Sequence, residues 1–137
     1  MTLAEKQQQM IDDYSLIENR IERFSAIVDR ANPLEPLDDA DKVDGNRVPG
    51  CVSMVWLVGE CQDGVCQFRV DADSSIVRGV AVLVCELYSG SAAAEIAEFE
   101  TTLLDDLKIA DQLSPTRRRG VGYIIARIRE LAAQSRS

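Results

Sequence analysis

Apolar residues in the first thirty positions recur at steps of three and four: Met10, Ile11, Tyr14, Ile17, Ile21, Phe24 and Val28. That spacing predicts an amphipathic helical region over residues 1–31, running to about Arg30 with a break near Ser15. Thr2 with Glu5, and Ser15 with Glu18, have the spacing of capping boxes, in which hydroxyl and carboxylate satisfy the first N–H groups of a helix. Asn32-Pro33 ends the pattern. Residues 32–50 then hold three prolines, two glycines and the acidic run Asp38-Asp39-Ala40-Asp41. A loop this long inside a compact domain is either functional or disordered. Because it leads into Val48-Pro49-Gly50-Cys51, a functional loop is expected.

Val52–Cys61 and Val65–Ala72 read as two strands joined through Asp63-Gly64, a strong hairpin signal. The second strand alternates, with Cys66, Phe68, Val70 and Ala72 on one face and Gln67, Arg69 and Asp71 on the other. A two-residue turn sets Cys61 opposite Cys66. Ser74 is a candidate N-cap for a helix carrying Ile76, Val77, Val80, Val84, Leu87 and Tyr88 and stopping at Gly90. This helix is apolar nearly all round, so it belongs at the centre, with Cys85 buried in it. Short helices are expected over Ser91–Phe99 and Thr102–Lys108. Ser114-Pro115 starts the last helix, with a core face of Val121, Ile124, Ile125, Ile128 and Leu131. The pattern predicts an α+β fold: one domain over residues 1–137, with a small antiparallel sheet packed against helices.

Composition narrows the chemistry. The 137 residues fit one domain, and 46% hydrophobic content supports a core. The chain has no histidine, which removes Ser-His-Asp and Cys-His pairs, His-ligated metals and imidazole relays. A net charge of −8 repels phosphates, so no nucleic-acid partner is expected. No apolar stretch is long enough to span a bilayer and the first residues show no signal-peptide run, so a cytoplasmic protein with no membrane partner is expected. The four cysteines are spaced C-x9-C-x4-C-x18-C, without the close pairs of zinc or most iron–sulfur sites, so no metal is assigned. In a reducing compartment, Cys61 and Cys66 are expected as two packed thiols, although they could oxidise.

Three positions break local rules and are candidate sites. Cys51 follows a Pro-Gly turn that sets its thiol at a loop tip, unless it is a buried strand-start cysteine. Arg117-Arg118-Arg119 sit in the first turn of the last helix, where cations oppose the helix dipole. They therefore suggest an anionic partner or an internal carboxylate, against the alternative of a solvated charge run. Residues 1–110 carry 21 acidic and 9 basic side chains, and residues 111–137 carry 2 and 6, so the basic end is a distinct patch. Gly79, inside the central helix, costs about 1 kcal/mol relative to alanine. It allows close approach of another backbone, either the Cys51 loop or a packed helix.

Asn46-Arg47-Val48-Pro49-Gly50-Cys51, with Ser53 and Val55-Trp56-Leu57, resembles the segment around the active cysteine of SufE-type sulfur acceptor proteins. Asp73 followed by Ile76-Val77-Arg78-Gly79 resembles that family's acidic residue and helix start. Leu113-Ser114-Pro115-Thr116-Arg117 with Gly120 resembles its Leu-Ser-Pro-Ser-Arg element. The resemblance covers roughly residues 10–133 and implies an α+β fold similar to that of IscU-type scaffolds. It also implies a role: accepting sulfur from a cysteine desulfurase and passing it to an iron–sulfur scaffold complex.

Cys51 would be the persulfide carrier, and Arg47, Asp73 and Arg117, with Arg118 and Arg119, would face the partner or position the cysteine. Pyridoxal phosphate would belong to the desulfurase, with no cofactor held by this chain, which would act as carrier and activator rather than as a stand-alone enzyme. Feeding tRNA modification or another cofactor route, and a purely docking role, are the alternatives. Val52 and Met54 stand where the family often has glutamine. Arg118 and Arg119 stand where it commonly has uncharged residues. With no histidine to activate the thiol, Cys51 is expected to be effective mainly inside a complex, shielded at rest and released by a swing of its loop.

Overall fold

A computed structural model describes residues 1–135; the last two residues of the expected 1–137 domain lie outside the described residues. The helical region does divide, into α1 (Leu3–Ser15) and α2 (Arg20–Asp29). The Thr2–Glu5 box forms, with Thr2 Oγ1 accepting from Glu5 N–H and Glu5 Oε1 accepting from Thr2 N–H. The Ser15–Glu18 box does not. Ser15 is still inside α1, and Asn19 Oδ1 takes the first N–H groups of α2, from Ile21 and Glu22 at 3.0 Å each. The apolar stripe shifts with that restart. Ile21 is 61% exposed, while Ile27 and Arg23 are buried. Arg23 keeps its charge inside by donating to the carbonyls of Leu107 and Ile17, both at 3.1 Å.

Strands β1 (Val55–Gln62) and β2 (Val65–Ala72) pair antiparallel, with Asp63 (φ 55°) and Gly64 (φ 80°) as the turn. Both residues sit in the left-handed region that a two-residue turn of this hand requires. The register places Cys61 opposite Cys66, Cα–Cα 4.0 Å apart, and the two are joined as a disulfide instead of packing as separate thiols. A third strand is present that periodicity missed: β3 (Ser91–Ala92) pairs with Cys66 and Val65. It forms because β2 leaves edge groups unpaired. Cys66 O accepts from Gly90 N–H and Gly64 O from Ala93 N–H, each at 2.8 Å. The helix expected from Ser91 therefore begins two residues later, as α4 (Ala93–Glu98).

Helix α3 (Ser75–Tyr88) is central, with Ser74 as its N-cap and Cys85 buried. It packs on β2 and lies against α1, α2 and α6 (Pro115–Gln134), with the four-residue α5 (Leu103–Asp106) between α4 and α6. Val121, Ile124 and Ile128 of α6 are fully buried, and Ile125 and Leu131 are partly so. Gly79 meets α2, not the Cys51 loop. A Cβ built on it would lie 2.6 Å from Val28 Cα and 2.9 Å from Val28 O. Backbone on both sides cannot yield to a methyl group. Gly79→Ala therefore gains about 1 kcal/mol of helix propensity but loses more through overpacking, whose usual cost of about 1–3 kcal/mol applies here at the upper end. A urea midpoint below that of the wild type is expected, and an equal or higher midpoint would refute the contact.

Residues 32–50 are folded down over the outer face of the hairpin. Asp41 pairs with Arg69 at 3.3 Å, and Lys42 pairs with Asp71 at 3.2 Å while lying over the Trp56 ring. Asp71 belongs to the polar face of β2, yet it is only 5% exposed because this loop covers it. Its carboxylate also accepts from Leu37 N–H at 3.2 Å and lies 3.1 Å from Arg78 Nε, and Arg78 in turn donates to the carbonyls of Ala31 and Leu34. One buried acid thus ties the loop's first half to β2 and α3.

Candidate functional site

The loop's second half builds the reactive corner. Val48 N–H donates to Val55 O at 2.9 Å and Arg47 bridges to Trp56, so residues 47–48 run antiparallel to the start of β1. Residues 51–54 are not strand, and β1 starts at Val55 rather than at Val52. Asp73 fixes the far side of this corner. Its Oδ1 accepts from Met54 N–H at 3.1 Å, and its own N–H donates to Met54 O at 3.0 Å. Between these two stems Gly50 turns with φ +86°, a conformation suited to glycine, and presents Cys51 at the tip.

Cys51 is half-buried against the start of α6, its thiol donating to Gly120 O at 3.5 Å. Ser114 caps α6, its Oγ accepting from Arg117 N–H, and Pro115 occupies the first turn. A recess of about 20 Å³ beside the thiol is lined by Val52, Ser53, Val77, Thr116, Arg117 and Gly120. That volume has room for about one water-sized atom. Burial pushes the Cys51 thiol above its ordinary pKa, and the Arg47 charge pulls it back only in part. In the free protein the group is therefore a protonated thiol at neutral pH.

The structure brings Arg117 to the recess, Arg47 into electrostatic range of the thiol, and Asp73 to the backbone three residues after Cys51. Arg118 and Arg119 are exposed on the same helical turn but do not line the recess. None of the three arginines makes an ion pair with a carboxylate among the described residues, so the internal-carboxylate reading falls away and a solvated run or an external anion remains. Val52, 81% exposed, and Met54 add apolar surface to the loop tip. Two larger cavities, about 780 Å³ beside α1 and Glu86 and about 510 Å³ beside Phe68 and Cys85, do not reach Cys51. Cys85 is buried and its thiol is pushed far up, so it is inert. No cluster of His, Cys, Asp or Glu among the described residues could hold a metal ion.

Sequence reasoning missed Tyr123, whose ring packs against Gly50. Its position three residues after Gly120, hence on the same helix face, was the available signal.

The sequence profile described as "SufE: Fe-S metabolism associated domain" matches residues 8–132. The chain belongs to the SufE family. A SufE-like protein of Rhizobium etli is 32% identical over 129 residues, covering 90% of this chain and 87% of that protein. Another from Rhizobium meliloti is 29% identical over 129 residues, covering 90% and 92%. The solution structure of a hypothetical protein from Thermus thermophilus superposes with a TM-score of 0.76 at 15% identity, covering 94% of each chain, which establishes the shared fold. SufE membership ties the chain to iron–sulfur metabolism, and the three segments that resemble the family's motifs converge on Cys51. No helix among the described residues is long and apolar enough to cross a membrane.

Proposed function

We propose that this SufE-family protein is a sulfur carrier that takes persulfide sulfur from a cysteine desulfurase onto Cys51. It stimulates that enzyme and delivers the sulfur to an iron–sulfur scaffold complex. The observation that carries this reading is the Cys51 corner itself: a thiol held at the tip of a two-stemmed turn, beside a recess with room for one further atom. In the transfer step the Cys51 thiolate attacks the outer sulfur of the donor persulfide. The new S–S bond forms as the old one breaks, the donor cysteine leaves as thiolate, and no net oxidation occurs. The thiol's proton must leave first. Because burial holds that proton on, docking that opens the corner or adds positive charge would raise the thiolate fraction.

The test mixes the protein with its desulfurase, cysteine and pyridoxal phosphate, and reads intact mass followed by peptide mapping. One added sulfur on the Cys51 peptide is expected, and a gain on the peptides of Cys61, Cys66 or Cys85 would overturn the assignment.

The unpaired arginines of α6 supply the docking charge. Reversing all three, Arg117→Glu, Arg118→Glu and Arg119→Glu, should raise the carrier concentration for half-maximal desulfurase stimulation by about tenfold or more, and should weaken its salt dependence. Unchanged saturation kinetics would return the triplet to an ordinary solvated run.

A further inference from the structure

The turn that carries Cys51 rests on an aromatic ring outside every motif that resembles the family. Tyr123 is 45% exposed, and a Cβ built on Gly50 would lie 2.8 Å from its Cε2 and 3.0 Å from its Cδ2. The ring therefore lies directly against the turn's backbone. One turn earlier on α6, Gly120 O accepts the Cys51 thiol. Positions 120 and 123 are neighbours on one face of a helix. That face supports both residues of the Gly50–Cys51 unit, the ring under the first and the carbonyl under the second. Among the described residues, the thiol contact is the single hydrogen bond made by residues 49–53. Thiols are weak donors. Packing therefore holds the tip more than hydrogen bonding does, with Cys51 against the core and the Gly50 turn against Tyr123.

We infer that Tyr123 is a positioning residue for Cys51, the platform that holds the Gly50 turn and with it the thiol against the start of α6. The inference rests on Cys51 being the reacting thiol of the proposed function. With the tip docked, the thiol faces Gly120 and Arg117 on α6 and Arg47 on its own loop, and part of its surface is withheld from solvent. With the tip released, the thiol meets water, so reagents reach it faster and its ionisation moves to lower pH.

The experiment follows alkylation of Cys51 by iodoacetamide, read on its own peptide by mass spectrometry, over about pH 6 to 10. Tyr123→Ala should react at least about fivefold faster than wild type, the factor expected from losing one packing contact of this kind, with a midpoint at lower pH. Tyr123→Phe keeps the ring and should restore both the rate and the midpoint, which a general loss of stability would not do. Tyr123→Leu keeps an apolar side chain on α6 but removes the flat ring, so it should also speed alkylation, and it decides the matter if Tyr123→Ala does not fold. Wild-type rates in Tyr123→Ala and Tyr123→Leu, or a Tyr123→Phe variant as fast as Tyr123→Ala, would overturn the inference. The assay contains no desulfurase, so its outcome is separable from sulfur uptake. A protein whose Cys51 responds to Tyr123 but gains no sulfur would refute the carrier reading alone.

Discussion

Cys51→Ser will take up no sulfur from a desulfurase and will lose most of the stimulation, while folding as well as the wild type. The loss of sulfur uptake should be complete rather than partial, because a serine hydroxyl has no accessible anionic form near neutral pH and cannot hold a sulfane sulfur. Stability should change by less than about 1 kcal/mol, since the side chain is half-buried and its hydrogen bond to Gly120 O can be kept by a hydroxyl. Intact mass after incubation, desulfurase turnover with and without the carrier, and a urea titration measure the three quantities. The decisive contrast is with a pure docking protein. If Cys51→Ser still stimulates the desulfurase fully, the arginine-bearing face alone activates the enzyme and the carrier reading fails. Cys85→Ser tests the same logic from the other side, since its buried thiol should be irrelevant to sulfur uptake.

Features set by short-range rules were legible in the sequence. The Asp63-Gly64 turn fixes the hairpin register, so the opposition of Cys61 and Cys66 followed from counting. Ser114-Pro115 marked the start of α6, and the Pro49-Gly50 turn marked the loop tip. Features set by long-range covering were not. Period-2 alternation assigns Asp71 to the solvent side of β2, and it is buried only because a loop some thirty residues earlier lies over it. Tyr123 reads as an exposed position of α6, and its partner is a glycine backbone that leaves no mark in an apolar pattern. Strand β3 spans two residues, below any periodicity, and exists because a neighbouring edge offers carbonyls. Whether Cys61 and Cys66 join could not be read from register alone, because geometry permits the bond and the thiol environment decides it.

Asp71→Ala will be the most destabilising of the substitutions considered, and the reason lies in how many elements share one carboxylate. Lys42, Arg78 and the N–H groups of Leu37 and Ala72 all converge on it. Removing one partner of a buried ion pair leaves the others uncompensated, typically at about 3–5 kcal/mol. Lys42 retains some solvent contact here, so a loss of about 3 kcal/mol, the lower end of that range, is expected in urea or thermal unfolding. Burial by itself would raise the Asp71 pKa, but the hydrogen bonds from Ala72, Lys42 and Leu37 and the Lys42 charge outweigh it and hold the carboxyl below its ordinary value. The unfolded chain therefore takes up the proton first as pH falls. The stabilisation is fully present above about pH 4, the unfolded carboxyl value, and disappears as pH drops through the lower folded value. Stability measured against pH should show this acid limb in the wild type and a flatter one in Asp71→Asn. The same variants should loosen residues 32–50, and with them the arm that ends at Cys51, so alkylation of Cys51 should quicken alongside. Wild-type stability in Asp71→Ala would mean that the loop is held by its apolar contacts, such as buried Leu37 and Val48, and not by this acid.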